Sequence, residues 1–182
     1  MTAAPRRWAA DLLHFWFHEL RPADWYRGGE AVDARIAARF GNTLAMLARR
    51  PACEFLRDPL TAQAAILLFD QVSRNAHRDS PLAFATDPLA RQIAKGVITR
   101  GWQRLLGTDE RAFVGMPLMH SESIADQRAS MAYFRSIPKN FAFARDHWRM
   151  IARFGRFPHR NAVLGRRSTA AERAAVAAGN AW

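Results

Sequence analysis

Apolar residues recur along this chain every three or four positions and almost nowhere in alternation, which is the pattern of amphipathic helices and not of strands. Trp8, Leu12, Phe15 and Trp16 place a first helix over 6–18, with Pro5 just ahead of it, where a missing N–H costs nothing. The string Phe15-Trp16-Phe17 reads as core packing rather than as a ligand platform. A loop through Arg21, Pro22 and Gly28-Gly29 follows, in which Trp25 and Tyr26 are expected to tuck under neighbouring helices. Val32, Ile36, Phe40, Leu44 and Leu47 mark a second helix ending near Pro51, and Pro59 opens a third. The stretch TAQAAILLFD in that third helix is apolar nearly all round, so it is expected at the centre of the fold.

The central helix ends abruptly in Asp70, Gln71, Ser73, Arg74 and Asn75, and residues 76–81 read as a turn with His77 and Arg78 in solvent. A fourth helix is expected from about Pro81 to Thr99, with Pro88 as the alternative start. Asp109 to Val114 gives a short helix, after which Gly115, Pro117 and the apolar Met116, Leu118 and Met119 lead into His120-Ser121-Glu122. Ser121 then stands as an N-cap with Glu122 in the first turn. Ile124, Met131 and Phe134 line the next helix, and Phe141, Ala144, Trp148 and Ile151 the one after, which Gly155 stops. Thr169 and Glu172 have the spacing of a capping box for a last helix ending at Gly179. The expected fold is all-α, with seven or eight helices in successive antiparallel pairs and a single domain over 1–182.

Charge changes this picture at one place. The 182 residues carry a formal +11, almost wholly as arginine, since Lys95 and Lys139 are the only lysines. Seven arginines fall between Arg145 and Arg167, and Asp146 is the one acid among them. Arg145, Arg149 and Arg153 lie at i, i+4 and i+8, where each like-charge pair costs a few tenths of a kcal/mol if left alone. Open solvent, carboxylates from other helices or a bound anion must offset that. Arginine suits the last two because its planar fork pairs bidentately with carboxylate or phosphate.

Three polar clusters at helix ends are therefore candidates to converge: Asp70, Gln71, Arg74 and Asn75; His120, Ser121, Glu122 and Gln127; and Arg153, Arg156, His159, Arg160 and Asn161. Two readings follow. In one, Arg74, Arg153, Arg156 and Arg160, with His159, Asn161, Asp70, Gln71 and Gln127, hold a small carboxylate or phosphate ligand. His120, Glu122 and His159 are then the candidates for any acid–base step. In the other, the clusters are structural locks in a helical scaffold or protein–protein interaction module, whose partner is a protein or peptide.

Other chemistries find little support. Ser121 beside His120 or His159, with Asp70 or Glu122, lacks a nucleophile elbow. His14 and His18 at i, i+4, with Asp11 and Glu19 nearby, make no recognised metal pattern, and neither do His147 and His159. No cofactor is implied. Nucleic acid is not the expected partner, since no zinc-finger spacing, phosphate loop or RNA-binding strand motif accompanies the charge. The lone Cys53 excludes an internal disulfide and fits a reducing cytoplasm. No run is apolar enough to span a membrane, and the N-terminal stretch reads as a helix rather than a signal peptide.

Several stretches also resemble one family. LLHFWF at 12–17, Ile36 with Arg39-Phe40, ILLFDQVSRN at 66–75, PLMHSE at 117–122 with Gln127, and RFGRFPHRNAVLGRRSTAAE at 153–172 are similar, in order, to the bacterial domain-of-unknown-function 924 family. The resemblance covers nearly the whole chain and implies an α-α superhelix of the tetratricopeptide-repeat type. The family has no settled activity, so the likeness implies no mechanism. Val72-Ser73, His77 and Gly115 depart from its pattern, thinning the aromatic residues beside the first two polar clusters and leaving the polar residues in place.

Overall fold

The computed structural model describes residues 7–180, so Pro5 and Arg6 at the expected start of the first helix lie outside the described residues. Among the described residues there are ten α-helical segments and no strand. In chain order these are α1 (Arg7–His14), α2 (Pro22–Arg27), α3 (Glu30–Leu47), α4 (Pro59–Ile66), α5 (Ser73–Ala76), α6 (Asp87–Thr99), α7 (Thr108–Met119), α8 (Ile124–Phe134), α9 (Pro138–Phe154) and α10 (Ala170–Ala177). α1 runs on into a π-helical turn at Phe15–Glu19, and a second π-helical stretch, Leu67–Val72, joins α4 to α5 in one rod.

The contacts divide the chain into two compact units, Met1–Arg78 with Leu82–Pro117, and Asp79–Pro81 with Leu118–Trp182. In the first, the α4–α5 rod is central, as its all-round apolar character predicts. Every residue from Ala62 to Ser73 is buried, and α1, α3 and α6 pack against the rod. Phe15 and Trp16 are both 1% exposed, in the core as expected. In the second unit α8 and α9 pack against each other, and α10 packs on the short turn at Pro158–Arg160. Met150, Ile151, Phe157 and Ala175 make a small apolar core there, with Phe154 against it.

Three expectations fail, each for a local reason. The segment after Arg21 is helical instead of a loop, because Pro22 opens it and the Asp24 carboxylate accepts from the Arg21 backbone N–H at 3.0 Å. Within it Trp25 is half-buried and donates to the Trp16 carbonyl at 2.7 Å, while Tyr26 stays exposed. α7 does not stop at Gly115: it continues through Pro117 to Met119, and the whole run Ala112–Met119 is buried. Burial of that much apolar surface outweighs one lost backbone hydrogen bond and a helical glycine. Finally, α8 begins at Ile124 with Ser123 at the N-cap position. Ser121 instead donates to the Asp126 carboxylate at 2.8 Å, and Glu122 stands ahead of the helix.

Other start signals behave as read. α6 begins at Asp87-Pro88, the later of the two starts considered. Thr169 and Glu172 form a reciprocal capping box for α10, and Pro59 opens α4, where Asp58, a cap not read from the sequence, accepts from Thr61 N–H at 2.9 Å.

Candidate functional site

The first polar cluster lies in the first unit, on the π-helical stretch. A π turn is wider than an α turn and leaves its carbonyls imperfectly bonded. Here side chains take them up: Ser73 and Thr86 donate to the Phe69 carbonyl at 2.8 and 2.7 Å, and Arg74 donates to the Asp70 carbonyl. Asp70 is fully buried, with its carboxylate 3.2 Å from the Arg74 guanidinium and 2.6 Å from the Gln71 amide. Arg74 also reaches Asp87 at 3.0 Å. Burial works against its charge, and the two carboxylates outweigh that and raise its pKa. Asn75 and Arg78 both bond Asp33, at 2.7 Å and at 2.5 and 2.9 Å. Arg78 is therefore tied down at the surface, not merely solvated. An open depression of about 590 Å³ adjoins it, floored by Ala34 and Ala37.

The second and third clusters share the second unit and do meet, through a partner that the sequence did not single out. Glu122 Oε1 accepts from the Phe157 backbone N–H at 2.8 Å and from Arg166 at 3.0 Å, and Oε2 accepts from Arg166 at 2.8 Å. Arg166 also donates to the Phe157 carbonyl at 3.1 Å. Partial burial alone would raise the Glu122 pKa, but the hydrogen bonds from Arg166 and Phe157 win and lower it. Arg156 pairs elsewhere, with Glu172, at 2.6 and 3.0 Å, and donates to the Arg167 carbonyl at 2.9 Å. Hydrogen bonds from Arg156 and the Thr169 N–H lower the Glu172 pKa to about 2.

Phe157, fully buried, sits at the middle of this unit. The Arg160 guanidinium lies over its ring at 4.5 Å, and the rings of His147 and His159 lie at 5.5 and 5.6 Å. His120 is 6.1 Å from His147. His147 is the buried member, with Nδ1 donating to the Phe143 carbonyl at 2.8 Å. Burial, followed by the charge of His120, depresses its pKa to about 3. A base that weak takes up no proton at neutral pH, so His147 offers hydrogen bonding and packing rather than general-base chemistry. Asn161 is fully buried and donates to Ser168 at 3.1 Å, and Gln127 is fully buried with its amide on the carbonyls of Met119 and Ser121 at 2.6 and 2.7 Å.

Arg153 does not join the network. It is exposed on α9, 4.9 Å above the Phe154 ring, and among the described residues no carboxylate lies within ion-pair distance of it. Elsewhere, His14 and His18 stack at 5.3 Å, but Glu19 beside them is taken by Arg39 at 2.8 Å. Among the described residues no group of three His, Cys, Asp or Glu side chains is arranged to hold a metal ion. No helix among them is long and apolar enough to cross a membrane.

Arg166, Asp33 and Asp87 are partners that sequence reasoning passed over, and it weighed His147 only as a metal ligand beside His159. Arg166 carried a signal, since it is one of the seven late arginines, but spacing gave no reason to prefer it to Arg153 as the partner of Glu122.

Residues 12–180 match the family described as bacterial protein of unknown function (DUF924). The solved structure of a protein of unknown function, ATU0120 from Agrobacterium tumefaciens, superposes with a TM-score of 0.89 at 34% identity, covering 95% of this chain and 98% of that one. No curated protein matches. The chain belongs to the DUF924 family.

Proposed function

We propose that this DUF924 member is a helical interaction module, with a protein or peptide partner, and that its polar clusters are structural locks rather than a small-molecule site. The observation that carries this reading is the pairing of Glu122 with Arg166, of Glu172 with Arg156, and of Asp70 and Asp87 with Arg74. Both oxygens of Glu122 are engaged by Phe157 and Arg166, and both oxygens of Glu172 by Arg156 and the start of α10. A ligand carboxylate or phosphate at Arg156 or Arg166 would have to displace a protein carboxylate already held bidentately, with no gain in hydrogen bonds. Of the arginines first assigned to an anion, Arg74 and Arg156 are held by protein carboxylates, and Arg153 is exposed on the outer side of a helix.

The finer architecture belongs to the same proposal. Paired consecutive helices, as in α8 and α9, support a superhelix of the tetratricopeptide-repeat type, and one free cysteine supports a cytoplasmic setting. Fold likeness on its own is weak evidence for function, so the weight rests on the ion pairs.

The test is thermal unfolding with inorganic phosphate or citrate, on the parent and on Arg156→Ala and Arg153→Ala. A structural lock predicts a lower Tm for Arg156→Ala, a parent-like Tm for Arg153→Ala, and no stabilisation by either anion. If phosphate or citrate raised the Tm of the parent and not of Arg156→Ala, the anion site would stand and this reading would fall.

A further inference from the structure

The pairing inside the second unit leaves an imbalance at its surface. Residues 118–182 contain eleven arginines and lysines against four acids, Glu122, Asp126, Asp146 and Glu172. Three of those acids are spent inward: Glu122 on Arg166, Glu172 on Arg156, and Asp126, buried, on Ser121. Asp146 alone faces out from α9, and it is shared by Arg145 at 3.2 Å and Arg149 at 3.1 Å. Arg145 and Arg149 keep 43% and 58% of their side-chain surface in solvent, and Arg153 is exposed one turn further on. The three guanidiniums thus form a row along the outward face, stepping by about 6 Å per four residues of helix.

From this we infer that the outward face of α9 docks an acidic amphipathic helix of a partner protein. Carboxylates at i, i+4 and i+8 of such a helix repeat at the same interval of about 6 Å as the arginines, so each meets a planar fork. The sides of the row fit a protein better than a polyphosphate. Phe143, 53% exposed, lies about 80° round the helix from Arg153, and half-buried Trp148 lies about 60° from Arg145 on the other flank. Apolar side chains of the partner have somewhere to rest on either side. Asp146 discriminates as well: a protein helix can set a lysine opposite it, whereas a phosphodiester strand meets it with repulsion. Three arginines would also neutralise only about three phosphates, too few for firm binding at physiological salt.

This inference rests on the reading of the chain as an interaction module, and its test separates the two. The probe is a fluorescently labelled synthetic helix with Glu at i, i+4 and i+8, leucines flanking them and a lysine placed to face Asp146. Its affinity is read by anisotropy against the full chain, the triple variant Arg145→Gln/Arg149→Gln/Arg153→Gln, and a control that removes three exposed charges elsewhere, Arg49→Gln/Arg128→Gln/Arg135→Gln. We expect a loss of about tenfold or more in the triple variant and less than about twofold in the control, with a parent-like Tm in both. A peptide of the same composition in scrambled order should bind about tenfold more weakly. Equal affinity for the triple variant and the parent would overturn the docking face, as would equal binding of the scrambled peptide. Displacement of the probe by a single-stranded oligonucleotide at lower concentration than unlabelled peptide would assign the row to nucleic acid instead. Stabilisation by phosphate through Arg156 would undo the interaction-module reading and is measured separately.

Discussion

Arg166 grips Glu122 across 44 positions of chain, with paired bonds of 2.8 and 3.0 Å, and the two together clamp both backbone groups of Phe157. Removing the guanidinium leaves a half-buried carboxylate with one donor. Arg166→Ala should therefore destabilise the protein by about 1–3 kcal/mol in urea unfolding, and Arg166→Lys, which cannot form the fork, by less. A ΔΔG within the scatter of surface substitutions for Arg166→Ala would mean that the clamp does not hold the loop.

Acid should loosen the same unit in two stages, through different groups. Glu172 has its folded pKa lowered from 4.5 to about 2, by Arg156 first and then by the Thr169 N–H. Its contribution is complete above pH 4.5 and is lost as pH falls through 4.5 towards 2. Glu122, also lowered, works in the same direction. Glu172→Gln should have a lower Tm at pH 6 and a flatter Tm-against-pH curve below 4.5. Parallel curves for the parent and the variant would contradict the assignment.

His147 acts at higher pH. It is held neutral in the fold with a pKa of about 3, against 6.5 when unfolded, so protons bind the unfolded chain more readily. Its contribution is whole above pH 6.5 and declines as pH falls from there towards 3. His147→Gln should lose the slope of stability between pH 6.5 and 4.5 while that of Glu172 below 4.5 remains. NMR titration of the ring should show no protonation step near 6.5.

Gly96 stands in the last turn of α6, where a Cβ would come within 2.5 and 2.8 Å of the two Leu56 methyl carbons. Alanine there should gain about 1 kcal/mol of helix propensity and lose about 1–3 kcal/mol to overpacking. Gly96→Ala is expected to destabilise in the parent and to stabilise when Leu56 is already Ala, a sign change that a double-mutant cycle reads directly.

Sequence periodicity was a good guide wherever one face of a helix had to be dry. Ile36, Phe40, Leu44 and Leu47 are all buried in α3, and the uniformly apolar segment before Asp70 is the centre of its unit. It misjudged Gly115 and Pro117, because local breakers yield to burial and the amount of burial is decided by helices distant in sequence. The site was legible as composition and obscure as pairing. Glu122, Arg156, His159, Arg160 and Asn161 do share one unit, but which arginine meets which acid depends on where Phe157 turns the chain. No periodicity encodes that turn. Asp70, Gln71 and Arg74 belong to the first unit, with Asp87 as the further acid.

The last helix looks like an appendix by length, yet Glu172 makes it the fastener for a loop sixteen residues upstream. A version trimmed after Arg167 would strip Arg156 of its counter-charge and remove Ala175 from the small core that holds Phe157. Amide exchange should show that reach, with the Thr169 proton slow despite its nearness to the chain end.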